Sequence, residues 1–200
     1  MPSISYAVTA CNEHRELSFL LELLRNNIRE EDEIVIQLDI DNATKEVRTV
    51  ANKYTAHPLN GDFATFKNHL NKFCTKDYIF QIDADEYPHT HLITNLGEIL
   101  EYNQTIDVFL VPRINTVSGL TEQHIQKWGW RVDDKGWVNF PDYQWRIWKN
   151  NDKIKWINKV HERLDGFETY SVLPQIEEYC LFHPKDIARQ EKQNALYETI

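Results

Sequence analysis

The sequence predicts an α/β fold, with a mostly parallel sheet flanked by helices, and three observations carry that prediction. Short apolar runs alternate with helix-period segments through the first half of the chain, and strand-then-helix repetition makes parallel pairing the natural arrangement. Each apolar run is followed by polar or acidic residues, as expected where strands end at a binding edge. Glycine is scarce: there are six in 200 residues and none before Gly61, so no glycine-rich phosphate loop or dinucleotide fingerprint can follow the first strand.

The elements follow in order. Residues 4–10 (ISYAVTA) read as a strand. Asn12 is a good helix N-cap, and Leu17, Leu20, Leu21 and Leu24 fall at i, i+3, i+4, i+7 behind it. Residues 33–40 (EIVIQLDI) are a second strand, rich in β-branched side chains. Thr44 can cap a helix that turns Val47, Val50, Ala51 and Tyr54 inward, and an extended piece spans 54–59. Phe63, Phe66, Leu70 and Phe73 mark a third helix, 78–82 (YIFQI) a buried strand, 92–100 a helix and 108–112 a strand. The second half differs, since all six tryptophans lie between 128 and 156. No linker divides the halves, so residues 1–200 are expected to form one domain, the part beyond 112 folding over the strand ends.

Lys plus Arg number 22 against 31 Asp plus Glu, a formal charge of −9. That sign argues against a general nucleic-acid binder, and requires any anionic phosphate to be met by local cations or a metal. Cys11, Cys74 and Cys180 are odd in number and widely spaced, so no disulfide framework or cysteine-rich zinc site is expected and a reducing compartment is. The first residues do not read as a signal peptide, and no stretch has the apolar length of a membrane span.

The sharpest feature is YIFQIDADEYP, residues 78–88. An apolar strand delivers Asp83, Asp85 and Glu86 into one loop, and carboxylates that converge repel unless a cation lies between them. Hard divalent ions take oxygen ligands and hold phosphates. This points to a Mg²⁺ or Mn²⁺ site bridging a diphosphate; the plainer reading is a solvated acidic turn.

With VTACNE after the first strand, DFATFKNHL at 62–70, QIDADE, and KVHERL at 159–164, the chain resembles family 2 glycosyltransferases, including bacterial lipopolysaccharide-core members. The resemblance implies the Rossmann-like GT-A fold, with a nucleotide-sugar-binding half over 1–112 and an acceptor and metal-completing half over 113–200. It also implies a UDP-sugar donor, a Mn²⁺ or Mg²⁺ ion and transfer, with inversion, to a hydroxyl of a glycan or glycolipid. Thr9, Asn12 and Glu13 would line the uridine and ribose pocket. Asp39 would meet the base or ribose, a task that Gln37 or Asp41 could share. Lys67 would face a phosphate and Asn68 would hold the loop. Asp83, with Ala84 beside it, would touch ribose or metal, and Asp85 would ligate the metal.

A C-terminal histidine completes the metal shell in this fold. His161 is the first choice and His183 the second, each against the alternative of a buried, hydrogen-bonded histidine; the other six histidines read as surface or loop residues. Inverting transfer needs a general base. Asp142, in NFPDYQWRIW, resembles the region near a helix start that supplies it, with Glu162 second; the alternative for Asp142 is a plain helix N-cap. Trp128, Trp130 and Trp137 are candidates for an acceptor platform, and Trp145, Trp148 and Trp156 for the core. Competing readings are a non-catalytic nucleotide-sugar or glycan-binding module and a nucleotidyltransferase, the latter opposed by the missing glycine loop. The expected location is the cytoplasm or the cytoplasmic face of a membrane.

Overall fold

A computed structural model describes residues 1–197, and of the last helix it describes the side chains only to residue 192 and that of residue 194. Residues 198–200 of the expected domain lie outside this range.

Strands β1 (Ile4–Ala10), β2 (Glu33–Asp39), β3 (Thr55–His57) and β4 (Tyr78–Asp83) pair in parallel in the order β3-β2-β1-β4. The sheet continues through β7 (Val138–Lys149), antiparallel to both β4 and β6 (Val108–Ser118). Beyond β6 come β11 (Leu181–Asp186), parallel to it, and β5 (Tyr87–Pro88), antiparallel to β11. β10 (Tyr170–Val172) also pairs with β6. A separate hairpin joins β8 (Lys155–Ile157) to β9 (Arg163–Asp165). One mixed sheet thus draws strands from both halves of the chain.

The period of two along each strand sorts the side chains between two cores. From β1 and β4, Ile4, Tyr6, Val8, Phe80 and Ile82 pack beneath α1 (His14–Asn27), α2 (Lys45–Ala51) and α4 (Thr90–Tyr102). Ala7 and Ile79 face the other way, onto α3 (Phe63–Asn71) and the β8–β9 hairpin, with Trp148, Trp156 and Leu164. Leu17, Leu20, Leu21 and Leu24 are fully buried, each contributing about 1.5–3 kcal/mol of burial energy. The helix period that predicted α1 is therefore the face that holds it to the sheet.

Several local expectations are corrected. Asn12 does not cap α1. The N-cap position falls to Glu13, whose carboxylate turns back to accept the N–H groups of Cys11 (2.8 Å) and Asn12 (3.0 Å). Thr44 does cap α2, but Tyr54 lies beyond that helix's end. Phe73 also falls outside its helix, because the chain turns after Asn71, and it is half-exposed. Asp142 is at no helix start: the Y-Q-W-R-I-W run alternates, pairs with β6 and places Asp142 opposite Arg113. The register slips where Ile147 and Trp145 face the successive residues Phe109 and Leu110, leaving Arg146 as the extra residue of a β-bulge.

Candidate active site at the strand ends

The carboxyl ends of β1, β2 and β4 open into a cleft of about 1440 Å³. Its other walls come from β7, from the β8–β9 loop with His161 and Glu162, from β11, and from α6 (Ile187–Tyr197). The loop after each central strand contributes: Thr9 to Glu13 after β1, Asp39 at the end of β2, and Asp83 to Glu86 after β4.

Asp83 shares its face of β4 with Gln81, and the cation it needs comes from two sides. Its Oδ1 accepts from Thr9 Oγ1 and Gln81 Nε2, both at 2.8 Å, and its Oδ2 from Arg146 Nη2 at 2.9 Å. Lys67 of α3 brings its ammonium to 3.8 Å. Burial alone would raise the Asp83 carboxyl, but the Lys67 and Arg146 charges outweigh it and hold the group well below the usual carboxylate range. Lys67 is itself buried, bonded to Glu162 at 2.6 Å and stacked over Trp156. Next to it, Asn68 accepts the N–H and donates to the carbonyl of Trp156. Lys67 and Asn68 thereby hold the two ends of the hairpin against α3.

Asp85 is placed differently. Its Oδ2 faces His183 Nε2 at 3.2 Å and Arg189 Nη2 at 3.1 Å. Burial works to raise its carboxyl, yet the His183 contact and the Arg189 charge leave it lowered to about 2. The orientation of His183 follows from a chain of partners. Asp142 Oδ2 can only accept, so Asn115 must turn its Nδ2 toward it (2.8 Å), and Asn115 Oδ1 then accepts from His183 Nδ1 (2.8 Å). Nδ1 donates to Asn115, and Nε2 is the nitrogen left facing Asp85. With a divalent ion present, Nε2 could share it with the Asp85 carboxylate in place of that contact, and a partner fixing the far nitrogen is the usual support of a metal-binding histidine. A divalent ion therefore fits Asp85 and His183 chemically. No group of three such donors is assembled among the described residues, so phosphate and water oxygens would supply the remainder, as Mg²⁺ in particular prefers.

Asp142 is absorbed by this support. Its Oδ2 also accepts from Arg113 Nε (2.9 Å) and Nη2 (2.7 Å), and its Oδ1 from Gln144 Nε2 (2.7 Å). Burial would raise its carboxyl, but the Arg113 charge and these bonds leave it below its ordinary value. It lies outside the cleft lining, whereas Glu162 is within it. Behind both, Glu86 is fully buried and joins the two arginines, accepting from Arg113 Nη1 (2.6 Å) and Arg146 Nη2 (2.7 Å).

The cleft thus gathers Thr9, Asn12, Glu13, Asp39, Lys67 and Asp83 through Asp85 with His161 and His183. Asp85 faces His183, the second choice, while His161 sits on the hairpin loop with φ +52°. Asn68 lies behind the wall. Gln37 is spent on the carbonyl of Phe66 and on His69, and Asp41 is exposed outside the cleft. His57 and His69 are not loose surface groups, since their rings pack 4.3 Å apart. Of the proposed platform, Trp130 reaches the cleft; Trp128 stacks behind it and Trp137 packs on Phe140. Trp145, expected in the core, is half-buried and lines the cleft. Arg113, Asn115, Arg146 and Arg189 were not singled out from sequence. The alternation R-I-N on β6 is the one local signal that pointed two polar side chains inward.

The sequence model described as glycosyl transferase family 2 matches residues 5–175. No curated protein matches the chain. Among solved structures, S. aureus TarS 1-349 in complex with UDP-GlcNAc superimposes with TM-score 0.63 at 15% identity, over 92% of this chain and 59% of that one. TarS 1-349 with UDP gives 0.62 at 14%, over 92% and 60%. A glucosyl-3-phosphoglycerate synthase from Mycobacterium tuberculosis gives 0.46 at 15%, over 59% and 44%. The chain thus spans about 60% of the length of the TarS chain it resembles, and at such identities the likeness is one of fold. The family pattern itself runs from the first strand to beyond the β8–β9 hairpin, most of the chain's length, and this protein belongs to glycosyl transferase family 2.

Proposed function

We propose that the protein transfers a sugar from a UDP-sugar to a hydroxyl of a glycan or glycolipid, with inversion and with help from Mn²⁺ or Mg²⁺. The observation that carries this reading is the Asp85–His183 pair at the strand ends, 3.2 Å apart, beside a deep cleft in a family 2 chain. A bound divalent ion would supply positive charge to the diphosphate leaving group. The nucleoside would lie against Thr9, Asn12 and Asp39, with Glu13 shaping the turn beneath it. Asp39 is already anchored by the N–H of Leu59 and the side chain of Asn42.

In the transfer the acceptor oxygen forms a bond to the anomeric carbon, the carbon–phosphate oxygen bond breaks with its electron pair, and UDP leaves. The acceptor's proton goes to a carboxylate. Glu162 lines the cleft and is positioned by Lys67, which favours it as the base; Asp142 acts instead through Asn115 on His183. Cys11, the cleft's thiol, is pushed up to about 11 by burial and by Glu13 and Asp39, so it stays protonated at neutral pH and is no nucleophile. Trp130 and Trp145 offer aromatic faces for the acceptor. No helix among the described residues is long and apolar enough to cross a membrane.

The test is calorimetric titration of UDP with and without Mn²⁺, repeated with His183→Ala. Binding strengthened by Mn²⁺ in the parent protein and not in the variant supports the reading. Failure of the parent to bind UDP under either condition overturns it.

A further inference from the structure

The cleft is lined by many carboxylates, among them Glu13, Asp39, Asp83, Asp85, Glu86 and Glu162. A nucleoside diphosphate carries two or more negative charges into that field, so cations able to change partners are required. Three of the cleft's cations are already committed. Lys67, Arg113 and Arg146 hold Glu162, Asp142 and Glu86 through bonds of 2.6 to 2.7 Å, and Lys67 and Arg146 are almost fully buried. Pulling Lys67 or Arg146 to a ligand would strip a buried cation of its short bond to a carboxylate, a costly exchange.

Arg189 on α6 is held otherwise. Its guanidinium reaches Asp85 at 3.1 Å, Glu13 at 3.4 Å and Glu16 at 3.5 Å. Its side chain is one-third exposed and belongs to the cleft wall. Three carboxylates at longer distances share one fork, and the Arg189 guanidinium is more exposed than Lys67, Arg113 or Arg146, so its pairings cost less to exchange. The fork's geometry matches phosphate oxygens as well as carboxylates. Its position beside Asp85 places it where the diphosphate must pass if Asp85 takes the metal.

We propose that Arg189 is a diphosphate-binding residue, held on Glu13, Glu16 and Asp85 while the cleft is empty of donor and passing to phosphate oxygens when a nucleoside diphosphate enters. This rests on the UDP-sugar reading above. α6 is then the element that closes over the donor, and the Glu13–Glu16 turn of α1 is its resting place.

Uridine and UDP, titrated calorimetrically with Mn²⁺ into the parent protein, Arg189→Ala and Arg189→Lys, separate the possibilities. The alanine variant is expected to bind UDP about tenfold to a hundredfold more weakly, the range for a lost hydrogen bond to a charged group. Its uridine affinity is expected to hold, and the lysine variant to fall between. An alanine variant that binds UDP as well as or better than the parent overturns the assignment, as does equal weakening of uridine and UDP, which would make Arg189 a support of the cleft wall. A parent protein that binds neither ligand overturns the UDP-sugar reading itself, and Arg189 falls with it.

Discussion

Replacing Arg146 with methionine tests whether the buried charge network holds the site together. Methionine fills much of the same stem volume but removes three bonds: Nη1 to Gln81 Oε1 at 2.5 Å, Nη2 to Asp83 Oδ2 at 2.9 Å and Nη2 to Glu86 Oε1 at 2.7 Å. Arg146 and Glu86 are 3% and 1% exposed, so water cannot replace what is lost. Breaking a buried ion pair from one side costs about 3–5 kcal/mol. Arg113 still holds Glu86 and Lys67 still faces Asp83, which sets the expectation near the lower end, about 3 kcal/mol. For a chain of this size that is a fall in Tm of roughly 6–12 °C. Urea unfolding followed by tryptophan fluorescence measures it directly. Adding Glu86→Gln to Arg146→Met removes the stranded charge, so the double variant should recover about half of the loss instead of summing the two single effects. A single-variant cost below about 1 kcal/mol, or strict additivity in the double variant, would refute the view that Glu86 and Arg146 stabilise one another.

Three further outcomes are expected. Glu162→Gln should lower sugar transfer by about 10²- to 10⁴-fold while leaving UDP affinity within a few fold, whereas Asp142→Asn should chiefly weaken Mn²⁺-dependent UDP binding; the reverse pattern would restore Asp142 as the base. Gly166→Ala should destabilise by about 2–4 kcal/mol, because its φ is +84° and an added Cβ would meet the backbone carbonyl of Lys153; a thermal melt unchanged from the parent's would contradict that contact. Asp107, bonded to Lys149 and to the N–H groups of Glu168 and Thr169, has its carboxyl lowered to about 2. Its folded value lies below its unfolded one, so its stabilisation is full above about pH 4 and fades as pH falls toward 2. Urea midpoints of the parent and Asp107→Asn should therefore differ at neutral pH and converge near pH 2.

Local order in the first half was legible because it is written in periodicity. Leucines spaced by a helical turn and β-branched runs of seven residues define elements before any tertiary contact forms. Thr44 capped its helix as its chemistry suggests, since the bond to Val47 spans three residues. Asn12 failed because the helix begins one residue later: Glu13 takes the N-cap position, its carboxylate turned back to the N–H groups of Cys11 and Asn12, and no side chain caps the first turn. The helix start expected at Asp142 failed for a longer-range reason, as Pro-Asp reads as a helix start until the following segment finds β6 to pair with.

The sequence by itself determined the alternating α/β order and the delivery of Asp83 and Asp85 to one strand end, since both depend on neighbours within a few residues. Only the tertiary structure decided which histidine faces Asp85, because His183 lies 98 positions along the chain and reaches it through the parallel register of β11 on β6. It also decided that Lys67, Arg113 and Arg146 serve carboxylates of the protein first. A charge's partner is set by distance and burial in space, and separation along the chain carries neither.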